Sequence, residues 1–338
     1  MEAKKMVFEE LQLESGLTLK NVEVAYHTFG KLNSDSSNVV WICHALTANS
    51  NPYEWWPKIC GSEGFFNEKD HFIICANILG SCYGTTGPLT EDENGNKYYD
   101  YFPLVTTRDM AKLHNKLREG LQINRIKILI GASLGGQQAL EWAIEYPSIF
   151  EQLILIATNA KHSPYGIAFN ESQRLAIKAD SSFGKKEDSA GKAGLIAARS
   201  IALLSYRSYE GYAISQNEEN DDLLNNYKAS SYQRYQGIKL SERFNAYSYV
   251  TLTQAMDAHN VGRNRNGIKN ALSRITAKTL IIGINSDVLF PKEEQKFLRN
   301  HIAGSRFQLI DSIYGHDGFL IEYQALIEQF KIFLNPIT

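Results

Sequence analysis

Residues 17–33, LTLKNVEVAYHTFGKLN, alternate apolar and polar side chains and close on a Gly-Lys-Leu-Asn turn. Period-two alternation marks strands with one covered face, so the chain is expected to open with antiparallel strands. The rhythm then changes. NVVWICHALT, HFIICANILG, IKILIGAS, EQLILIATNA, AKTLIIGINSD and RFQLIDSIYGHDG are short, continuous apolar runs bounded by turn residues. Such runs are strands buried on both faces, as in a parallel sheet covered by helices. With antiparallel strands at its start, the chain is predicted to form an α/β doubly wound sheet rather than a closed barrel.

Between about Lys161 and Ile275 the strand rhythm stops. SAGKAGLIAARSIALLSYRSY and SERFNAYSYVTLTQAMDAH repeat at helical spacing, and the acidic stretch SQNEENDDLLNN between them is a solvated loop. The sheet pattern resumes at AKTLIIGINSD. The predicted organisation is one core domain, residues 1–160 and 276–338, carrying a helical insertion at 161–275. An insertion at that point stands above the carboxyl ends of the strands, where open α/β sheets bind ligands, and is expected to act as a lid.

Composition narrows the class. The 338 residues are 43% hydrophobic and 21% charged with a net charge of −2, ordinary for a soluble enzyme and without the basic excess that nucleic acid or an anionic membrane requires. No apolar run approaches the roughly 18 residues of a spanning helix, and the opening MEAKKMVFEELQLESG lacks the apolar centre of a signal peptide. Cys43, Cys60, Cys75 and Cys82 form no C-x-x-C pair and read as structural thiols of a reducing compartment. A cytoplasmic protein with no metal and no permanently bound cofactor is expected.

The chemistry lies in KILIGASLGGQQALEWAIEYP, residues 127–147. Gly131, Ser133 and Gly135 satisfy G-x-S-x-G at the point where an apolar strand gives way to helical periodicity (Ala139, Leu140, Ala143, Ile144). A serine on that sharp turn needs small neighbours and is exposed at the head of a helix, the setting of a nucleophile elbow. A nucleophilic serine needs a base and an orienting carboxylate, in the chain order Ser, Asp or Glu, His. His316, in the glycine-flanked YGHDGF after the last strand, and Asp287, in GINSDVLFP after the preceding one, meet that order at strand ends. Asp311 is the alternative carboxylate. The oxyanion donors are expected to be the amide of Leu134, directly after the nucleophile, and that of Leu46 in the CHALTAN loop. His44 in the same loop, and the other histidines, read as structural.

Beyond the elbow, VVWICHALTANS, CANILGSCYGTTGPL, FPLVTTRDM, RFNAYSY, AMDAHNVGR, IGINSDVLFP and YGHDGFL resemble, in order from about residue 8 to the end, the motifs of the homoserine O-acetyltransferase family. The resemblance implies the α/β-hydrolase fold, a place in methionine biosynthesis and a homodimer. It maps the family's triad onto Ser133, Asp287 and His316. It also implies that Asp317 and Arg199, the latter in GLxxAR, bind the ammonium and carboxylate of the acceptor, with Arg207 as the rival of Arg199. Ala132 and Leu134 replace a glycine and a methionine of the family's usual elbow. The implied reaction moves the acetyl group of acetyl-CoA, a co-substrate, to L-homoserine by ping-pong chemistry. Alternatives within the family are a succinyl donor or an L-serine acceptor; outside it, the same triad serves a hydrolase with water as acceptor.

Overall fold

The computed structural model describes residues 2–335. Eight strands form one sheet: β1 (Lys4–Gln12), β2 (Thr18–Phe29), β3 (Val39–Cys43), β4 (Phe72–Ala76), β5 (Ile126–Ala132), β6 (Phe150–Ile156), β7 (Lys278–Ile284) and β8 (Arg306–Ile310). Across the sheet they run β1-β2-β4-β3-β5-β6-β7-β8. The β1–β2 and β2–β4 pairs are antiparallel and all others parallel. The six continuous apolar runs are β3 to β8, and the alternating stretch contains β2. Strand β1 escapes the pattern because it is an edge strand: KKMVFEELQ buries only one residue fully and is held by its ladder to β2.

Period-two alternation divides each central strand between two cores. Val39, Trp41 and Cys43 of β3 and Leu129 of β5 pack on one face with residues of the helices Thr107–Gly120 and Leu134–Glu145. Val40, Ile42, Ile128 and Ile130 face the other side, toward Leu326, Phe330 and Phe333 of the last helix, Tyr323–Leu334. Burial on both faces is why these strands read as unbroken apolar runs.

Between β6 and β7 come the helices Pro164–Lys178, Lys192–Tyr206, Tyr209–Ser215, Lys228–Ser241 and Ala246–Asp257. The acidic stretch 215–226 is largely exposed. The base of this excursion is pinned where the His162 amide donates to the His259 carbonyl at 3.1 Å and the Val261 amide to the Ala160 carbonyl at 3.0 Å. From there the chain runs back along the core, and Arg265 reaches Glu141 at 2.6 Å and Glu145 at 2.9 Å on the helix after β5. No helix among the described residues is long and apolar enough to cross a membrane.

Candidate active site

Ser133 sits at the carboxyl end of β5 with φ +57° and ψ −127°, left-handed backbone that a non-glycine residue adopts only when its surroundings enforce it. The enforcement is visible. The Ser133 amide donates to the Ile156 carbonyl at 3.0 Å, and its own carbonyl accepts from the Thr158 hydroxyl at 2.9 Å. The elbow glycines admit no side chain, since a Cβ on Gly131 would lie 2.2 Å from the Gly135 carbonyl oxygen and one on Gly135 2.0 Å from that of Cys43. The turn thus aims the hydroxyl out of the strand at the start of a helix, whose first amides point the same way.

His316 Nε2 accepts from Ser133 Oγ at 2.9 Å, and His316 Nδ1 donates to Asp287 Oδ2 at 2.6 Å. The other Asp287 oxygen accepts the amides of Leu289 and Phe290, both at 2.9 Å, so the carboxylate is fixed from two sides. A carboxylate can only accept, which places the imidazole proton on Nδ1 and leaves Nε2 free to take the serine proton. Phe290 stacks on the ring at a centroid distance of 5.0 Å, and Phe319 meets it edge-on at 5.4 Å. Burial favours the neutral ring, but the charge and hydrogen bond of Asp287, aided by Asp317, outweigh it and raise the His316 pKa above its ordinary value. All three residues are buried.

The hydroxyl opens into a cleft of about 400 Å³. Leu46, Ser133, Arg199, Tyr206, His316 and Asp317 line it, joined by Trp55, Lys239 and Arg243, to which the sequence alone gives no role. Among the described residues the Leu46 amide donates to no other group. The Leu134 amide, first in its helix, has no carbonyl a turn behind it within the helix. Neither amide is engaged by a backbone carbonyl among the described residues. His44 is a buried loop residue: its Nε2 accepts from the Ile78 amide at 3.2 Å, its Nδ1 donates to the Ala45 carbonyl, and burial lowers its pKa to about 4.

Asp317 separates the two candidate arginines. Arg199 shares the cleft with it. Arg207 lies behind, 2.9 Å from Asp317 Oδ2, as a charge contact whose N–H is not aligned as a hydrogen bond. It lines a different cavity, with Tyr212 and Tyr314. Burial raises the pKa of Asp317, and the positive charges of Arg207, Arg199 and His316 oppose that rise without cancelling it. Arg199 also stands 5.3 Å from the centroid of the Tyr206 ring. The two residues are seven apart on one helix, hence on one face, a spacing that could have flagged Tyr206 in the sequence.

Residues 38–323 match the family described as alpha/beta hydrolase fold. Homoserine O-acetyltransferase of Cyclobacterium marinum is 48% identical over 319 residues, covering 94% of this chain and 91% of that protein. The chain belongs to the homoserine O-acetyltransferase family. A crystal structure of homoserine O-acetyltransferase from Bacillus anthracis matches with a TM-score of 0.91 at 24% identity, over 99% of this chain and 97% of that one. Esterase E22 matches with 0.89 at 22% identity, over 99% and 100%. At those identities the likeness is one of fold, and its reach to an esterase shows that architecture does not choose the acceptor. The family's elbow glycine and methionine are Ala132 and Leu134 here, both buried.

Proposed function

We propose that this chain is a homoserine O-acetyltransferase, an acyltransferase that carries the acetyl group of acetyl-CoA to the hydroxyl of L-homoserine through an acetyl-Ser133 intermediate. The observation that carries the reading is the unbroken hydrogen-bond chain Asp287–His316–Ser133 opening into the same cleft as Asp317 and Arg199. A bare serine hydrolase needs only the first part. An anion and a cation beside the nucleophile suit a zwitterionic acceptor, whose ammonium and carboxylate each want an opposite charge.

In the first half-reaction, Ser133 Oγ attacks the thioester carbonyl while His316 Nε2 takes its proton. The Leu46 and Leu134 amides hold the tetrahedral oxyanion. Collapse breaks the C–S bond, and His316 returns the proton to the departing thiolate. In the second, the homoserine hydroxyl gives its proton to His316 and attacks acetyl-Ser133. The new ester leaves as the proton goes back to Ser133 Oγ. Asp287 keeps the imidazole in the correct tautomer and stabilises its charged form throughout. The helices of residues 161–275 form a lid, so that homoserine rather than water meets the acyl-enzyme.

The test is mass spectrometry after exposure to acetyl-CoA without acceptor. One acetyl group should appear on the peptide containing Ser133, and homoserine should discharge it as the O-acetyl ester. Ser133→Ala should show neither adduct nor turnover. An adduct on another peptide, or discharge as fast by water as by homoserine, overturns the reading. Crossing acetyl-CoA and succinyl-CoA with homoserine and serine fixes the substrate pair.

A further inference from the structure

The cleft holds more positive charge than its chemistry requires. An acetyl thioester is neutral at the reacting end, and one arginine, Arg199, suffices for an amino-acid carboxylate. Yet Lys239 and Arg243 also line the cleft, and both are exposed. Lys239 lies in the last turn of the helix Lys228–Ser241 and Arg243 in the turn just beyond its end, and both reach the same cleft. Among the described residues neither forms an ion pair. Lys239 Nζ lies 5.8 Å from the Tyr235 ring centroid, and Arg243 donates to the Thr47 carbonyl and the Tyr83 hydroxyl, both neutral. The carboxylate that shares the cleft, Glu54, accepts the side-chain amides of Asn49 and Asn51.

We infer that Lys239 and Arg243 form a phosphate-binding subsite at the mouth of the cleft, which takes the phosphorylated nucleotide end of the coenzyme A donor. The inference rests on the acyl-CoA donor proposed above. Depth supports the placement: the thioester must reach the buried Ser133, whereas Lys239 and Arg243 line the same cleft as exposed residues, so the nucleotide end lies toward solvent. Between the two ends the donor's arm is long and uncharged, and Trp55, Phe319 and Leu320 offer it apolar surface. Arg243 is held by Thr47, one residue beyond Leu46, which ties the phosphate subsite to the oxyanion loop. The competing role for Lys239 is local, since a cation in the last turn of a helix complements the helix dipole. That role predicts a small change in stability and no discrimination between donors.

Lys239→Ala is the clean variant, because Arg243 also supports the Thr47 loop. Its kcat/KM with acetyl-CoA should fall about fivefold to tenfold, mostly in KM, the size of one exposed charge contact to phosphate. With S-acetylpantetheine, which lacks the nucleotide, it should change less than twofold. Adenosine 3′,5′-bisphosphate should compete with acetyl-CoA in the wild type and several-fold less well in the variant. Equal losses with both donors, or no loss with either, overturn the subsite. Calorimetric titration with coenzyme A alone separates this inference from the parent reading. Lys239-dependent binding in a chain that transfers no acetyl to homoserine sinks the reading and keeps the subsite. Lys239-independent binding in a chain that does transfer sinks the subsite and keeps the reading.

Discussion

Ser133, Asp287 and His316 follow the carboxyl ends of β5, β7 and β8, whereas Arg199, Lys239 and Arg243 come from the segment between β6 and β7, the first two from its helices and Arg243 from a turn. The two groups are held by different means. Each triad member is fixed by close, buried surroundings: a left-handed elbow wedged between glycines, a carboxylate gripped by two backbone amides, an imidazole packed against the Phe290 and Phe319 rings. The cations between β6 and β7 are held by their side chains, through a ring face, a carbonyl or a tyrosine hydroxyl. Chemistry built on the sheet is therefore hard to move and costly to lose. Recognition of the kind proposed for Arg199, Lys239 and Arg243 would be graded, one charge at a time.

The comparison is put under most stress at Asp287. Asp287→Asn keeps an oxygen for the Leu289 and Phe290 amides, so the fold should survive, but it turns a pure acceptor beside His316 Nδ1 into a group that favours the wrong tautomer. Thiol release from acetyl-CoA should fall by about 10⁴ in single-turnover measurements, with little change in melting temperature. A loss of only a few-fold would show that the imidazole is oriented by something else. Asp311 is no substitute, because it is exposed and occupied by the Asn285 side chain at 2.8 Å.

The same division explains what could be read from the chain. The elbow and both triad partners were legible because strand ends leave local signatures: apolar runs cut off by glycine, aspartate and histidine in a set order. Strands β3 to β8 were legible for the same reason. Residues 161–275 read as helical as a whole, with two segments showing clear helical spacing, whereas Pro164–Lys178 and Lys228–Ser241 carry mixed polar patterns that leave their bounds unmarked in the sequence. Lys239 and Arg243 look like any surface pair until the fold lays them against Leu46 and Trp55 across nearly two hundred residues of chain. The choice between Arg199 and Arg207 had the same origin. They stand eight positions apart, and only tertiary structure shows one inside the cleft and the other behind Asp317.

Arg199→Ala tests recognition without chemistry. Burst acetylation of Ser133 should match the wild type, since that step uses the triad, the oxyanion donors and the donor channel. Homoserine kcat/KM should fall by roughly ten- to a hundredfold, the worth of one charge-assisted contact. Equal damage to both half-reactions would mean that Arg199 shapes the cleft through Tyr206 instead of meeting the acceptor.

Arg207 carries the smallest and most specific expectation. Its contact with Asp317 is partly exposed, with the side chains 25% and 13% accessible, so its direct energetic worth is modest. Its charge nevertheless opposes the burial that pushes the Asp317 pKa upward. Arg207→Gln removes that opposition, so the pKa rises further and more of Asp317 is protonated at any given pH. A neutral Asp317 cannot pair with an ammonium. Homoserine kcat/KM in the variant, relative to wild type, should fall as pH falls through the range where Asp317 protonates and should approach one as pH rises and the carboxylate ionises. The ratio of variant to wild type is the quantity to plot, because the protonation of His316 affects both enzymes and largely divides out. A ratio that is depressed but flat across pH would make Arg207 a steric prop for Asp317; a sloping one makes it the residue that keeps the acceptor's counter-charge ionised.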